Sequence, residues 1–263
     1  MSDNPFAEHL PAVLDIALRA GDSILYHYHK QSGATGFKQD GSPVTEADRA
    51  SEAVIVFGLE YLTPQIPILS EEQVALGKIP DLSGGVYWCV DPLDGTKEYL
   101  KRTDEFTVCI GGIMAGQAVF GLLVAPVLGL VYASDGRQAW KRDGQGRLEA
   151  VACRARPVDE SQRVTLVSRS HRDGAELDEF LLAEGFPEAS RRTMGSAIKF
   201  GQIAEGAADL YARFGPTNQW DTAAGQAVLE AAGGSVRTHD GDRLCYDPLR
   251  FANPPFIAMG RGI

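Results

Sequence analysis

Basic residues are scarce in this chain: 25 Lys and Arg stand against 35 Asp and Glu among 263 residues, a formal net charge of −10. That balance argues against a nucleic-acid polymer or an anionic membrane as a general partner. A small anionic substrate stays allowed, because bound cations reverse the field at a single site. Cysteine is sparse as well, at Cys89, Cys109, Cys153 and Cys245, and no two form a CxxC pair. This removes zinc-ribbon and thioredoxin-like readings and leaves free thiols in a reducing compartment. The histidines supply no metal set. His27 and His29 lie on a polar stretch, and His9 and His239 have no partner at ligand spacing. Met1-Ser2-Asp3-Asn4-Pro5 has neither the basic start nor the apolar stretch of a signal peptide. A cytoplasmic setting is expected, with peripheral association at the inner membrane left open.

Charge is missing altogether from residues 109–134, a run long enough to cross a bilayer. Yet Gly111, Gly112, Gly116, Gly121, Pro126 and Gly129 punctuate it, and residues 119–124 and 130–132 are rich in strand formers. It reads as buried strands joined by turns near Ala115-Gly116-Gln117 and Pro126-Val127, not as a membrane span.

A hydrophobic content of 44% and a charged content of 23% describe an ordinary globular protein with a sizeable core. Leu10, Val13, Leu14, Ala17, Ala20 and Ile24 recur at helical spacing and predict an amphipathic helix over 6–28. A second helix is expected over 45–61, after a polar loop or short hairpin at 31–42. A short strand is expected at 66–70 and a loop at 74–84. Residues 135–158 read as an exposed hairpin. A first, α+β domain is expected over 1–156, ending near Ala155-Arg156-Pro157. A second, α/β domain is expected over 157–263, with helices at 176–184, 196–205 and 221–232 and strands at 163–168, 208–213, 235–238 and 256–259.

The densest chemistry lies in Trp88-Cys89-Val90-Asp91-Pro92-Leu93-Asp94-Gly95-Thr96. Two carboxylates straddle a proline that is expected to halt strand pairing. Gly95 permits a close turn, and Thr96 stands where a helix opens. Hard oxygen ligands beside an anion-binding turn suit magnesium-dependent phosphate chemistry. Each acid also has a plainer reading. Asp91 and Asp94 fit a turn pair, Glu71 a solvated loop acid and Asp221 a helix N-cap. Thr45-Glu46-Ala47-Asp48 fits a capping box. Lys97, Lys101 and Arg102 fit either a solvated face or a rim attracting a second phosphate.

Four segments occur in order: Asp40-Gly41-Ser42-Pro43-Val44-Thr45-Glu46-Ala47-Asp48, Leu69-Ser70-Glu71-Glu72, Asp91-Pro92-Leu93-Asp94-Gly95-Thr96 and Trp220-Asp221-Thr222-Ala223-Ala224. Together they resemble the inositol-monophosphatase superfamily of lithium-sensitive, magnesium-dependent phosphatases, over nearly the whole chain. Three further segments look like its bacterial 3′(2′),5′-bisphosphate nucleotidase branch: Ser168-Arg169-Ser170-His171, Gly195-Ser196-Ala197-Ile198-Lys199-Phe200 and residues 211–221. Tyr99 stands where that branch often carries phenylalanine.

The resemblance implies a layered α-β-α-β-α sandwich with the site between the two domains. It implies two to three Mg²⁺ ions. Glu71, Asp91 and the Leu93 carbonyl would hold one, and Asp91, Asp94 and Asp221 the second. A third, weaker ion would rest on Glu71 and water. Asp48 and Thr96 would deprotonate the attacking water, and Gly95 and Thr96 would give backbone N–H groups to the phosphate. Four ligand carboxylates carry a formal −4, so about +2 remains once three divalent ions bind. Gly195, Ser196 and Lys199 fit either packing or surface roles or a helix N-terminus that meets the nucleotide end, with Ser170 or His171 near the sugar. The implied substrate is adenosine 3′,5′-bisphosphate, with its 5′-phosphosulfate as an analogue. Inositol 1-phosphate and fructose 1,6-bisphosphate are the alternatives within the superfamily, and a non-catalytic binding protein is the alternative outside it.

Overall fold

In the computed structural model, which describes residues 4–30, 36–38, 41, 43–143, 145–169 and 174–262, the uncharged run becomes the middle of a sheet. Helix α1 (Leu10–Lys30) comes after a short 3₁₀ turn, so the expected helix starts four residues late. Strands β1 (Gly36–Phe37) and β2 (Pro43–Val44) pair as the short hairpin. Helix α2 (Glu46–Leu62) comes next. Then come β3 (Ile68–Ser70), α3 (Glu71–Ala75), β4 (Val86–Asp94), α4 (Thr96–Lys101), β5 (Thr107–Met114), β6 (Gln117–Ala125), β7 (Leu130–Ser134), β8 (Ala139–Arg142) and β9 (Leu148–Val151). These strands form one seven-stranded sheet in sequence order, antiparallel except for the β3–β4 pair.

The rest of the chain contributes β10 (Thr165–Ser168), α5 (Gly174–Ala183), β11 (Arg191–Met194), α6 (Ile198–Ala204), β12 (Leu210–Arg213), α7 (Gln219–Ala231), β13 (Ser235–Thr238) and β14 (Phe256–Met259). Its mixed sheet runs β11-β10-β12-β14-β13. Helices α1 and α2 cover one face of the large sheet around Trp88, Phe106 and Phe120. Helices α6 and α7 fill the space between the sheets. Helix α5 covers the far face of the small sheet through Leu177 and Leu181. The layers alternate helix, sheet, helix, sheet, helix, which is the expected sandwich. Among the described residues no helix is long and apolar enough to cross a membrane.

Four expectations about local structure are corrected. Proline does not end β4: Asp91 pairs with Cys109 and Asp94 with Thr107, and the register shifts between them. A bulge absorbs the donor that Pro92 lacks. Helix α3 begins at Glu71, three residues ahead of the expected 74–84 loop, because Ser70 stays extended and the chain turns helical at once. Strand β11 was missed because Arg191-Arg192-Thr193-Met194 is a polar edge with no buried alternation. Helix α6 starts at Ile198 rather than 196, because Ser196 takes a left-handed φ of 49°.

One close approach sets the site. A Cβ on Gly121 would lie 2.2 Å from the Ala224 carbonyl oxygen, and one on Gly111 would lie 2.9 Å from the Ala223 Cβ. Helix α7 therefore lies almost directly on β5 and β6, with its first turn beside the end of β4. Gly121→Ala is expected to destabilise the fold by about 2–3 kcal/mol through overpacking against backbone. A lower urea midpoint at unchanged m-value measures it.

Candidate active site

Carboxylate oxygens of Asp91, Asp94 and Asp221 lie within 4.8 Å of one another. The first two come from the bulged end of β4 and the third from the first turn of α7. Each has one oxygen tied to a backbone N–H. Leu93 N–H donates to Asp91 Oδ1 at 2.9 Å, Ala197 N–H to Asp94 Oδ2 at 2.5 Å and Asn218 N–H to Asp221 Oδ2 at 2.7 Å. One bond fixes each carboxylate's rotation and leaves its other oxygen for the cluster. Asp221 is thus not an N-cap but the third residue of its helix, bonded back to the Asn218 N–H.

Electrostatics says what the cluster wants. Burial, with repulsion from the neighbouring acids, pushes the Asp91 and Asp221 carboxyls well above the usual carboxylate range. Burial pushes Asp94 up to about 6, although Lys199 and the Ala197 N–H pull the other way. Three hard oxygen donors, buried at Asp91 and half-buried at Asp94 and Asp221, that resist ionising side by side fit a divalent hard cation. The ion-free protein should therefore lose stability as pH rises. Above the unfolded pKa near 4 the folded state binds more protons than the unfolded chain, so the slope of stability against pH is negative through about pH 6 and beyond. Divalent ions replace those protons. At about pH 8, saturating MgCl₂ is expected to raise Tm by about 5–10 °C over the chelator-stripped protein, and by less at about pH 6. Calorimetric melts with and without chelator check this.

Beside the cluster, Asp48 is buried at the start of α2. Its Oδ2 accepts the Thr45 N–H at 2.7 Å and the Thr45 hydroxyl at 2.6 Å, so the capping box is real. Its Oδ1 faces Thr96 Oγ1 at 3.1 Å. The capping and pairing roles use different oxygens of one side chain. Burial raises the Asp48 pKa against the hydrogen bonds from Thr45 and Thr96. The Thr96 hydroxyl also lies 3.3 Å from the Leu93 carbonyl. Gly95 opens α4 at φ 95°, with Glu105 O 3.2 Å from where a Cβ would be.

Glu71 lies outside the three-acid cluster but lines the same cavity, and its charge raises the pKa of each of the three. It is held by the Lys38 ammonium at 2.6 Å, which also pairs with Glu72 at 2.7 Å. Lys38 went unread in the sequence because only folding brings it to residues 33 and 34 positions away. Ser51 and Glu52 were missed too. The Ser51 hydroxyl donates to the Pro92 carbonyl at 2.7 Å, and Glu52 accepts the Ser70 hydroxyl at 2.5 Å. Their spacing from Asp48, three and four residues, was a usable signal for one helix face.

The cavity is about 350 Å³, within the range of small-molecule sites. Gly95, Thr96, Ser196, Lys199 and Arg213 are among its walls. Lys199 is buried and is driven down to about 8 chiefly by burial, with Asp94 opposing. Its ammonium donates to the Ser196 carbonyl at 2.5 Å and lies 4.6 Å from the Tyr211 ring centre. No helix N-terminus opens at Gly195-Ser196; those residues form a turn whose Gly195 and Ala197 N–H groups bond to Glu105 and Asp94. Exposed Arg102 stacks on Tyr28 at 4.1 Å, in line with the solvated-face reading, while Lys97 lies at the cavity wall. Ser170 and His171 lie outside the described residues.

The sequence profile of the inositol monophosphatase family matches residues 7–259. The chain is 44% identical over 252 residues to the 3′(2′),5′-bisphosphate nucleotidase CysQ of Escherichia coli O157:H7, covering 94% of this chain and 98% of that one. It is 37% identical over 260 residues to the protein of the same name from Buchnera aphidicola subsp. Acyrthosiphon pisum, covering 97% and 95%. Its fold superposes with TM-score 0.80 on CysQ from Bacteroides thetaiotaomicron, described as a bacterial member of the inositol monophosphatase family, at 33% identity and 98% and 99% coverage. An inositol monophosphatase from Anabaena (Nostoc) sp. PCC 7120 shares the fold at TM-score 0.76 and 24% identity, covering 97% and 92%.

Proposed function

Because the chain belongs to the inositol monophosphatase family, we propose that it is a metal-dependent phosphoric monoester hydrolase that converts adenosine 3′,5′-bisphosphate to AMP and phosphate. The 5′-phosphosulfate analogue would give adenylyl sulfate. The observation that carries this reading is one cavity walled by two opposite charge groups, the Glu71, Asp94 and Asp221 acids with Asp91 clustered behind them, and the buried cations Lys199 and Arg213. A substrate with two phosphates uses both, whereas inositol 1-phosphate uses one. Tyr211, Trp220 and Phe256 line the same cavity and offer apolar faces to a base. The two nucleotidase relatives support the same choice.

Glu71, Asp91 and the Leu93 carbonyl would hold one Mg²⁺ ion, Asp91, Asp94 and Asp221 a second, and Glu71 with water a third. When bound, such ions supply Lewis acidity to the phosphate and lower the pKa of coordinated water. Asp48, through the Thr96 hydroxyl, accepts the proton of the attacking water. The water oxygen bonds to phosphorus, the bond from phosphorus to the 3′ oxygen breaks, and that oxygen takes a proton from solvent water to become the hydroxyl of AMP, Asp48 returning its proton to solvent. The N–H groups of Gly95 and Thr96 steady the phosphate. We further assign residues 1–156 and 157–263 to two domains meeting at this site, in a cytoplasmic enzyme.

Phosphate release from adenosine 3′,5′-bisphosphate, inositol 1-phosphate and fructose 1,6-bisphosphate, each with and without Mg²⁺ and Li⁺, tests the proposal. The nucleotide should turn over fastest, only with Mg²⁺, and Li⁺ should inhibit. Faster hydrolysis of inositol 1-phosphate overturns the substrate, and background rates throughout would mean a binding protein.

A further inference from the structure

We propose that Arg169 and Glu105 form a clasp that positions both charge groups of the cavity, making Glu105 a positioning residue for Asp94 and Lys199. Glu105 lies between α4 and β5, in the half of the chain that builds the large sheet. Arg169 comes directly after β10 in the small sheet. Arg169 Nε meets Glu105 Oε2 at 2.7 Å and Nη2 meets Oε1 at 2.8 Å, a two-pronged fork. Arg169 Nη2 also reaches the Thr193 carbonyl at 3.3 Å. The same Oε2 accepts the Gly195 N–H at 2.8 Å. The fit is flush: a Cβ on Gly195 would lie 2.6 Å from Glu98 Cγ and 2.8 Å from Glu105 O.

The next residue needs such support. Ser196 is left-handed at φ 49°, a strained state for a residue with a Cβ, which persists only where its surroundings hold it. The clasp holds it on one side. On the other, Ala197 N–H is bonded to Asp94 and Lys199 Nζ to the Ser196 carbonyl. The path from Glu105 thus ends on one proposed ion ligand and one proposed phosphate cation. The pair is partly exposed, with 36% of the Arg169 side chain accessible, so its contribution to overall stability is small. Its work is geometric.

The inference rests on the roles proposed for Asp94 and Lys199. Arg169→Met and Glu105→Gln are measured in the full chain by Mn²⁺ calorimetry, by KM and kcat for adenosine 3′,5′-bisphosphate, and by thermal melts. Each variant should raise the Mn²⁺ Kd and the KM by about tenfold, the scale of outer-layer changes at metal sites, with Tm nearly unchanged. Arg169→Lys should not rescue, because an ammonium cannot fork. Wild-type Kd and KM in both variants would overturn the clasp. So would losses that merely track a lowered Tm. A wild-type protein that binds Mn²⁺ but hydrolyses none of the substrates defeats the proposed function and leaves the clasp judged on Mn²⁺ affinity alone.

Discussion

Asp94→Asn is expected to lower kcat/KM by about 10³-fold or more, with Mg²⁺ saturation pushed to much higher concentration. The substitution keeps shape and most contacts. The asparagine carbonyl can still accept the Ala197 N–H that now bonds to Asp94 Oδ2. The other position then carries an amide NH₂, which points hydrogens at the place where a cation belongs. A bound metal supplies several kcal/mol of transition-state stabilisation, and each 1.4 kcal/mol is a factor of ten in rate. Loss of one ligand of the second ion therefore costs activity while relieving the mutual repulsion among Asp91, Asp94 and Asp221. The ion-free variant should melt higher than the ion-free wild type at about pH 8. Near-normal kcat/KM at ordinary Mg²⁺ would remove Asp94 from the ion site.

Asp48→Asn should behave differently. Metal affinity should stay close to wild type, because Asp48 belongs to the start of α2 and not to the three-acid cluster. Turnover should fall by about 10²–10⁴-fold, the usual worth of a positioned base. The asparagine carbonyl can still accept the Thr45 N–H, so the cap survives, but the group facing Thr96 Oγ1 loses its ability to take a proton. Calorimetry with Mn²⁺ beside steady-state kinetics separates the two effects. Unchanged kcat would remove Asp48 as the base, and a matching loss of Mn²⁺ affinity would reassign it as a ligand.

The site was legible where chemistry and turn signals coincide in a few residues, and less so where contacts span the chain. Asp91 and Asp94 announce themselves because a proline and a glycine accompany two acids three residues apart. Asp48 and Asp221 were ambiguous for a physical reason: an acid at the third position of a helix satisfies a capping pattern and points outward at the same time. In the sequence the two roles compete, and the structure has both in one side chain. Lys38, Ser51, Glu52 and Glu105 act across 18 to 90 residues, beyond any local pattern. The layers were readable from periodicity and from the family resemblance. The errors fell on short elements, α3, β11 and the start of α6, and on Pro92, where a bulge replaced an expected stop.

The backbone ties on Asp48, Asp91, Asp94 and Asp221 carry a longer consequence. Their donors are peptide groups of Thr45, Leu93, Ala197 and Asn218, which every amino acid but proline provides. Substitutions in the cavity wall can then redraw which alcohol departs from the phosphate without disturbing how the acids are aimed. Selection on substrate and selection on hydrolysis act on largely separate sets of positions, so a lineage can acquire a new phosphate ester while its reactive centre stays intact.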